Sequence, residues 1–148
     1  MRSAMKGYTA EKASDQYLLQ RIQSASPEQM TALLLEGGQR FIKLTLEAMK
    51  QRNLMEQARC TNRTADIILE LKDRLNHKDG GEVVENLIRI YDWWSDEVFS
   101  AAQLNKPERL ETVARLMGEM KETWEELHRR KTAAAPAPAP DAPRDFSV

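Results

Sequence analysis

The 148 residues carry 22 Lys and Arg against 23 Asp and Glu, a formal net charge of −1, with 41% hydrophobic and 30% charged residues. That balance suits one soluble globular domain built from amphipathic elements. It excludes a global field that attracts nucleic acid, and nothing in it reads as a polybasic arm for a membrane surface.

Cys60 has no second cysteine to pair with, which points to a reducing compartment. Met1–Ala10 lacks the apolar run of a signal peptide and no stretch approaches a membrane span, so the expected location is the cytosol, without membrane insertion.

In chain order, residues 1–25 are weakly patterned apart from a short apolar cluster at Tyr17, Leu18, Leu19 and Ile22. Residues 26–130 hold nearly all the periodic hydrophobicity. Ser26-Pro27-Glu28-Gln29 supplies an N-cap serine, a proline at the first helical position and a glutamine placed to close a capping box. Asn53 followed by Glu56 repeats the cap for a second helix, and Gly80-Gly81 is expected to end it. Asn105-Lys106-Pro107 separates the third helix from the fourth. Each helix should run roughly 22 to 26 residues, about 35 Å, and short connections favour antiparallel neighbours. Residues 131–148 turn into an alanine–proline alternation, expected to be an extended, disordered tail.

The apolar stripes give the expected core. They are Met30, Leu33, Leu34, Gly37, Phe41, Leu44 and Ala48 on the first helix; Leu54, Ala58, Thr61, Ala65, Ile68 and Leu75 on the second; Val84, Leu87, Tyr91, Trp94, Val98 and Ala101 on the third; and Leu110, Val113, Met117, Met120, Trp124 and Leu127 on the fourth. With no strand-like alternation of useful length, the fold class is all-α: an antiparallel four-helix bundle with the N-terminal apolar segment packed on it.

Apolar residues remain after that assignment: Leu35, Ile42, Leu46 and Met49; Ile67 and Leu71; Ile90 and Trp93; and Leu116. A bundle helix needs about three of every seven positions for its core. Two readings of the surplus stay open. It lines a groove for a partner's amphipathic helix, or it reflects broad faces that the N-terminal segment covers. Tyr17, Leu18 and Ile22 are the candidate contacts of that segment, as a lid over the groove.

The inventory for chemistry is thin. Glu125 and His128 form a single Glu-x-x-His step, where a di-metal centre needs a second copy and two further glutamates. His77 lies beside Gly80-Gly81, not mid-helix where a phosphotransfer bundle would hold it, and Cys60 has no neighbouring histidine. Trp93, Trp94 and Trp124 lack the basic stripe of a nucleic-acid stacking platform. No catalytic residue, metal or cofactor is expected.

Several spaced motifs then point to a family. Ser24-Ala25-Ser26-Pro27-Glu28-Gln29 leads to Leu34-Leu35-Glu36-Gly37-Gly38-Gln39-Arg40-Phe41, and a second block runs from Gly80-Gly81-Glu82 to Ile90-Tyr91-Asp92. Tyr17 stands ten residues before the proline and Trp124 late in the last helix. Together, over roughly residues 17–127, these resemble the flagellar secretion chaperone family, FliS. Leu35 stands where that family usually carries tyrosine, and Gly38 where it carries alanine. The resemblance implies a cytosolic, non-enzymatic chaperone that binds the disordered C-terminal segment of flagellin, masks it against premature polymerisation and hands it to the flagellar export machinery. It further implies an anti-sigma factor as a second candidate partner. A self-associating scaffold is the competing function that the residues alone allow.

Overall fold

The computed structural model describes residues 14–76, 78 and 80–134. His77 and most of the alanine–proline segment lie outside the described residues. Every described element is a helix: α1 at residues 14–24, α2 at Pro27–Lys50, α3 at Leu54–Asp73, α4 at Gly81–Gln103 and α5 at Pro107–Ala134. No strand occurs among the described residues.

Local chemistry sets the helix ends. Ser26 Oγ accepts the Gln29 N–H at 3.1 Å and Gln29 Oε1 accepts the Ser26 N–H at 2.9 Å, completing the capping box. Asn53 Oδ1 accepts the Glu56 N–H at 3.1 Å to start α3. Two residues beyond the ends of α2 and α4 the chain takes a positive φ, at Arg52 (54°) and Asn105 (55°). The following amides, Asn53 N–H and Lys106 N–H, reach back to the carbonyls of Ala48 and Ala101 at 2.9 and 2.8 Å. These bonds satisfy helix carbonyls that would otherwise be orphaned.

The double glycine does the opposite of what its sequence suggests. α3 stops at Asp73, and Gly80-Gly81 opens α4. Gly81 has a φ of +54°, and a Cβ on Gly80 would lie 1.6 Å from Val84 Cγ2, so both positions require glycine.

α2 to α5 run up-down-up-down around a square. Gln57 Nε2 of α3 donates to the Ala102 carbonyl at the end of α4 at 3.0 Å, and Gln39 Nε2 of α2 donates to the Ala114 carbonyl of α5 at 2.9 Å. Lys131 Nζ, in the last turn of α5, meets Glu28 Oε1 in the first turn of α2 at 2.7 Å, and that hydrogen bond holds the Glu28 carboxyl below its usual range. α5 therefore continues through Ala134, past the boundary expected at residue 131.

The core contains Leu35 and Ile42 of α2, Ile68 and Leu71 of α3, Tyr91, Trp94, Val98 and Ala101 of α4, and Leu110, Val113 and Met117 of α5. This corrects the sequence reading of α2, whose buried stripe is Ala32, Leu35, Gly38, Ile42, Thr45 and Ala48. Leu44, expected inside, is exposed. The interior position at Thr45 is held by a residue whose hydroxyl is satisfied within the helix, donating to the Phe41 carbonyl at 2.8 Å. On α3, Thr61 and Ile68 are buried as expected, Leu54 is exposed, and Cys60, Thr64 and Leu71 supply the rest of the buried positions. The α4 stripe is as expected: five of its positions are buried, and Leu87 packs against them partly buried.

α1 lies on the outer side of α2. Leu18 and Ile22 share a shallow cleft with Met30, Leu33 and Leu34, and Arg21 Nη2 reaches Glu36 Oε2 at 3.5 Å.

Candidate partner-binding groove

The periodic seam of α5 runs from Leu110 to Leu127, but it closes on α4 over only part of its length. Leu110, Val113 and Met117 are buried, Met120 and Trp124 are half-buried against the core, and Leu127 is exposed. Where the seam opens, α4 and α5 border a cleft of about 550 Å³. Val83, Leu87, Ile90, Trp93 and Trp94 line it from α4, and Leu116, Met120, Thr123, Trp124 and Leu127 from α5, with Glu119 its one charged lining residue. All three tryptophans of the chain thus converge on one groove.

The groove combines a fixed floor with an open rim. Trp94 is 1% exposed and tilts against Tyr91, with ring centroids 5.5 Å apart. Neither the Tyr91 hydroxyl nor the Trp94 indole N–H has a hydrogen-bond partner among the described residues, and burial pushes the Tyr91 hydroxyl up to about 12. Beside this floor, Trp93 is 46% exposed, Leu127 46% and Ile90 38%. Arg109 anchors the opposite end of the α4–α5 pair through the Glu97 carboxylate and Ser100 Oγ. The result is an apolar channel with half-exposed aromatic walls.

The expected contact residues divide clearly. Ile90, Trp93 and Leu116 meet in this groove. Leu35, Ile42 and Leu71 do not, and correct the expectation: at 0%, 0% and 2% exposure they are core. The two departures from the family pattern, Leu35 and Gly38, therefore both sit in the interior. A Cβ on Gly38 would lie 2.9 Å from Met117 Sδ, so α2 and α5 approach closely there. Ile67 packs partly buried against the core and borders a separate cleft between α2 and α3 with Phe41 and Arg63.

Leu18 and Ile22 rest on α2, while Tyr17 is mostly exposed beneath the Arg21 guanidinium. None of the described α1 residues lines the α4–α5 groove, so any lid formed by residues 14–24 lies over α2 instead. Val83, Met120, Trp124 and Leu127 were missed as groove residues. The last three continue the core seam of α5 without a break in period, and only the parting of the helices separates the two roles.

Elsewhere the polar clusters read as local structure. His128 Nδ1 lies 3.1 Å from Ser26 Oγ, tying α5 to the α2 cap. Glu56 is drawn down to about 2 by hydrogen bonds from Arg59 first and from Cys60, whose own thiol burial pushes up. Among the described residues, no group of three His, Cys, Asp or Glu side chains is placed to hold a metal ion, and no helix is long and apolar enough to cross a membrane.

Comparison with known proteins decides the family. The family model described as flagellar protein FliS matches residues 10–131. The chain belongs to the FliS family. It is 26% identical over 127 residues to the flagellar secretion chaperone FliS of Vibrio cholerae, covering 86% of this chain and 90% of the relative. It is 28% identical to flagellar secretion chaperone FliSB of Pseudomonas aeruginosa, over 78% of this chain and 95% of that protein. The FliS of Campylobacter jejuni is 29% identical, over 74% and 85%. This FliS-family chain is thus a flagellar secretion chaperone by family, and its groove is the surface to be matched to that role.

Proposed function

We propose that this FliS-family protein is a cytosolic chaperone, not an enzyme, that seats the C-terminal segment of flagellin in the α4–α5 groove. Holding that segment keeps flagellin from polymerising early and delivers it unfolded to the flagellar export machinery. The observation that carries the reading is the convergence of Trp93, Trp94 and Trp124 with Ile90, Leu116 and Leu127 on one open apolar channel.

The size fits. From Leu116 to Leu127 the α5 wall rises about 17 Å, the length of roughly three helical turns. An occupant with apolar residues at i, i+3 or i+4, and i+7 would cover the floor. A disordered segment that folds on docking must offset its ordering cost with a large buried apolar surface, and an aromatic-walled channel provides it. A segment of an anti-sigma factor with the same apolar face would compete for the same channel.

Isothermal titration of the full chain with a flagellin C-terminal peptide tests the proposal. Saturable one-to-one binding is expected, with a gain of helical circular dichroism over the sum of the free components. No binding, together with concentration-dependent oligomers that ignore the peptide, would establish the scaffold reading instead.

A further inference from the structure

We propose that the Trp94 indole N–H sets cargo specificity: it selects a segment whose apolar face carries one uncharged hydrogen-bond acceptor, a Ser, Thr, Asn or Gln side chain. The inference rests on the α4–α5 groove being the docking site.

The two most polar residues of the α5 wall, Glu119 and Thr123, are already engaged. Glu119 Oε1 accepts from Arg115 Nη1 at 2.9 Å, and the Thr123 hydroxyl donates to the Glu119 carbonyl at 3.1 Å. Trp94 differs. It is 1% exposed, and of the lining residues it alone holds a buried side-chain polar atom with no hydrogen-bond partner among the described residues. Tyr91, the other residue with such an atom, does not line the groove. A buried donor left unpaired has lost its bonds to water and gained nothing in exchange. An occupant that brings an acceptor recovers that loss, and one that is apolar throughout does not.

The place of Trp94 in the groove puts it within reach of a docked segment. Leu87, Ile90 and Trp94 follow at steps of three and four residues, so they share the face of α4 that borders the groove. Leu87, Met120 and Trp124 line the groove with Trp94 and are only part-buried, so a docking segment that parts them uncovers the indole.

The class of acceptor follows from the surroundings. Backbone carbonyls of a docked helix are taken up by its own hydrogen bonds, so the acceptor is a side chain. A carboxylate is disfavoured because Glu119 lines the same groove. What remains is a hydroxyl or amide oxygen among the apolar residues that cover Ile90 and Leu116. Such a residue would be penalised in a groove without a donor, so the pairing separates this class of segment from wholly apolar helices.

The test replaces the Trp94 side chain of the full chain with benzothienylalanine, which carries sulfur in place of the indole N–H and keeps the ring shape. Binding of the flagellin C-terminal peptide is read by calorimetry, and folding stability by urea unfolding. Affinity should fall about tenfold, the contribution of one buried hydrogen bond. The urea midpoint should stay the same or rise, since the lost donor had no partner in the free chain. The same replacement at Trp93, which is 46% exposed, should change affinity by less than about twofold. Each Ser, Thr, Asn and Gln of the peptide is then changed to alanine in turn. One of these changes should weaken binding about tenfold to the unsubstituted chain and less than about twofold to the Trp94 replacement. Equal affinity of the two chains overturns the proposal and leaves the chaperone reading standing. A loss of affinity matched by a loss of stability overturns it too, because the indole is then only structural. So does a loss that no peptide side chain is coupled to. No peptide binding by the unsubstituted chain removes flagellin from the groove, and this inference with it.

Discussion

Trp93 and Trp94 are neighbours on α4 with opposite burdens, and replacing each with alanine separates groove from core. Trp93 is 46% exposed and Trp94 1%. A tryptophan side chain presents roughly 150–250 Å², so the open part of Trp93 amounts to about 100 Å². Covering it with a docked segment at about 25 cal/mol per Å² contributes about 2 kcal/mol, which is about thirtyfold in Kd. Trp93→Ala should therefore weaken binding of the flagellin C-terminal peptide about thirtyfold, while lowering folding stability by no more than about 1–2 kcal/mol, because its buried half is all that the bundle loses. Trp94→Ala should cost about 3–5 kcal/mol of stability by opening a cavity beneath the groove. Leu69→Ala, on an exposed position of α3 away from the groove, serves as the control and should change affinity by less than about twofold. Urea unfolding and calorimetric titration on the three variants read both quantities. Unchanged affinity in a folded Trp93→Ala chain would refute the assignment of the groove.

Three further outcomes follow from local structure. Ser26→Ala removes the capping box and the contact to His128, and should lower stability by about 1 kcal/mol, read as a lower urea midpoint at constant slope. Arg52 sits at a positive φ of 54° where α2 ends, so Arg52→Gly should raise stability by about 0.5–1 kcal/mol on the same measurement, relief of strain exceeding the added chain entropy. Burial holds the Tyr91 hydroxyl at about 12, against ~10 in an unfolded chain. The unfolded state thus releases the proton first. The contribution is complete below pH ~10 and is lost as pH rises through ~12, a drop of about 2–3 kcal/mol that Tyr91→Phe should abolish in urea unfolding at alkaline pH.

How far the sequence revealed this molecule varies from helix to helix. On α4 it was complete, because bulky residues at Val84, Tyr91, Trp94 and Val98 mark the buried stripe without ambiguity. On α2 the stripe was read about one position off. Gly38 and Thr45 occupy interior positions without looking apolar, the first because Met117 of α5 comes so close, the second because its hydroxyl bonds back to Phe41. The richer run of Leu33, Leu34, Phe41 and Leu44 drew the assignment to the wrong face. The helix at residues 14–24 left no clear period, since only Leu18 and Ile22 pack and Tyr17 and Leu19 point outward. Gly80-Gly81 was legible as punctuation but not as to which helix it serves; that depends on a positive φ at Gly81 that composition alone does not assign.

Three of the eleven groove residues were legible as well. Ile90, Trp93 and Leu116 stood out as apolar residues beyond the needs of a core, and they meet. Met120, Trp124 and Leu127 did not stand out, because a core seam and a groove wall share one period on α5. Which of them is covered depends on how far α4 and α5 stay together, a property of tertiary packing. Leu35, Ile42 and Leu71 show the converse error, surplus by periodicity and buried in fact.

The most direct test of the central claim is the tryptophan emission of the full chain titrated with the flagellin C-terminal peptide. All three tryptophans line the α4–α5 groove and none lies elsewhere. With a peptide that itself lacks tryptophan, docking in the groove should shift the emission to the blue and shield it from acrylamide, saturating at one peptide per chain. Saturable binding by calorimetry with emission and quenching unchanged would place the peptide on another face and contradict the account.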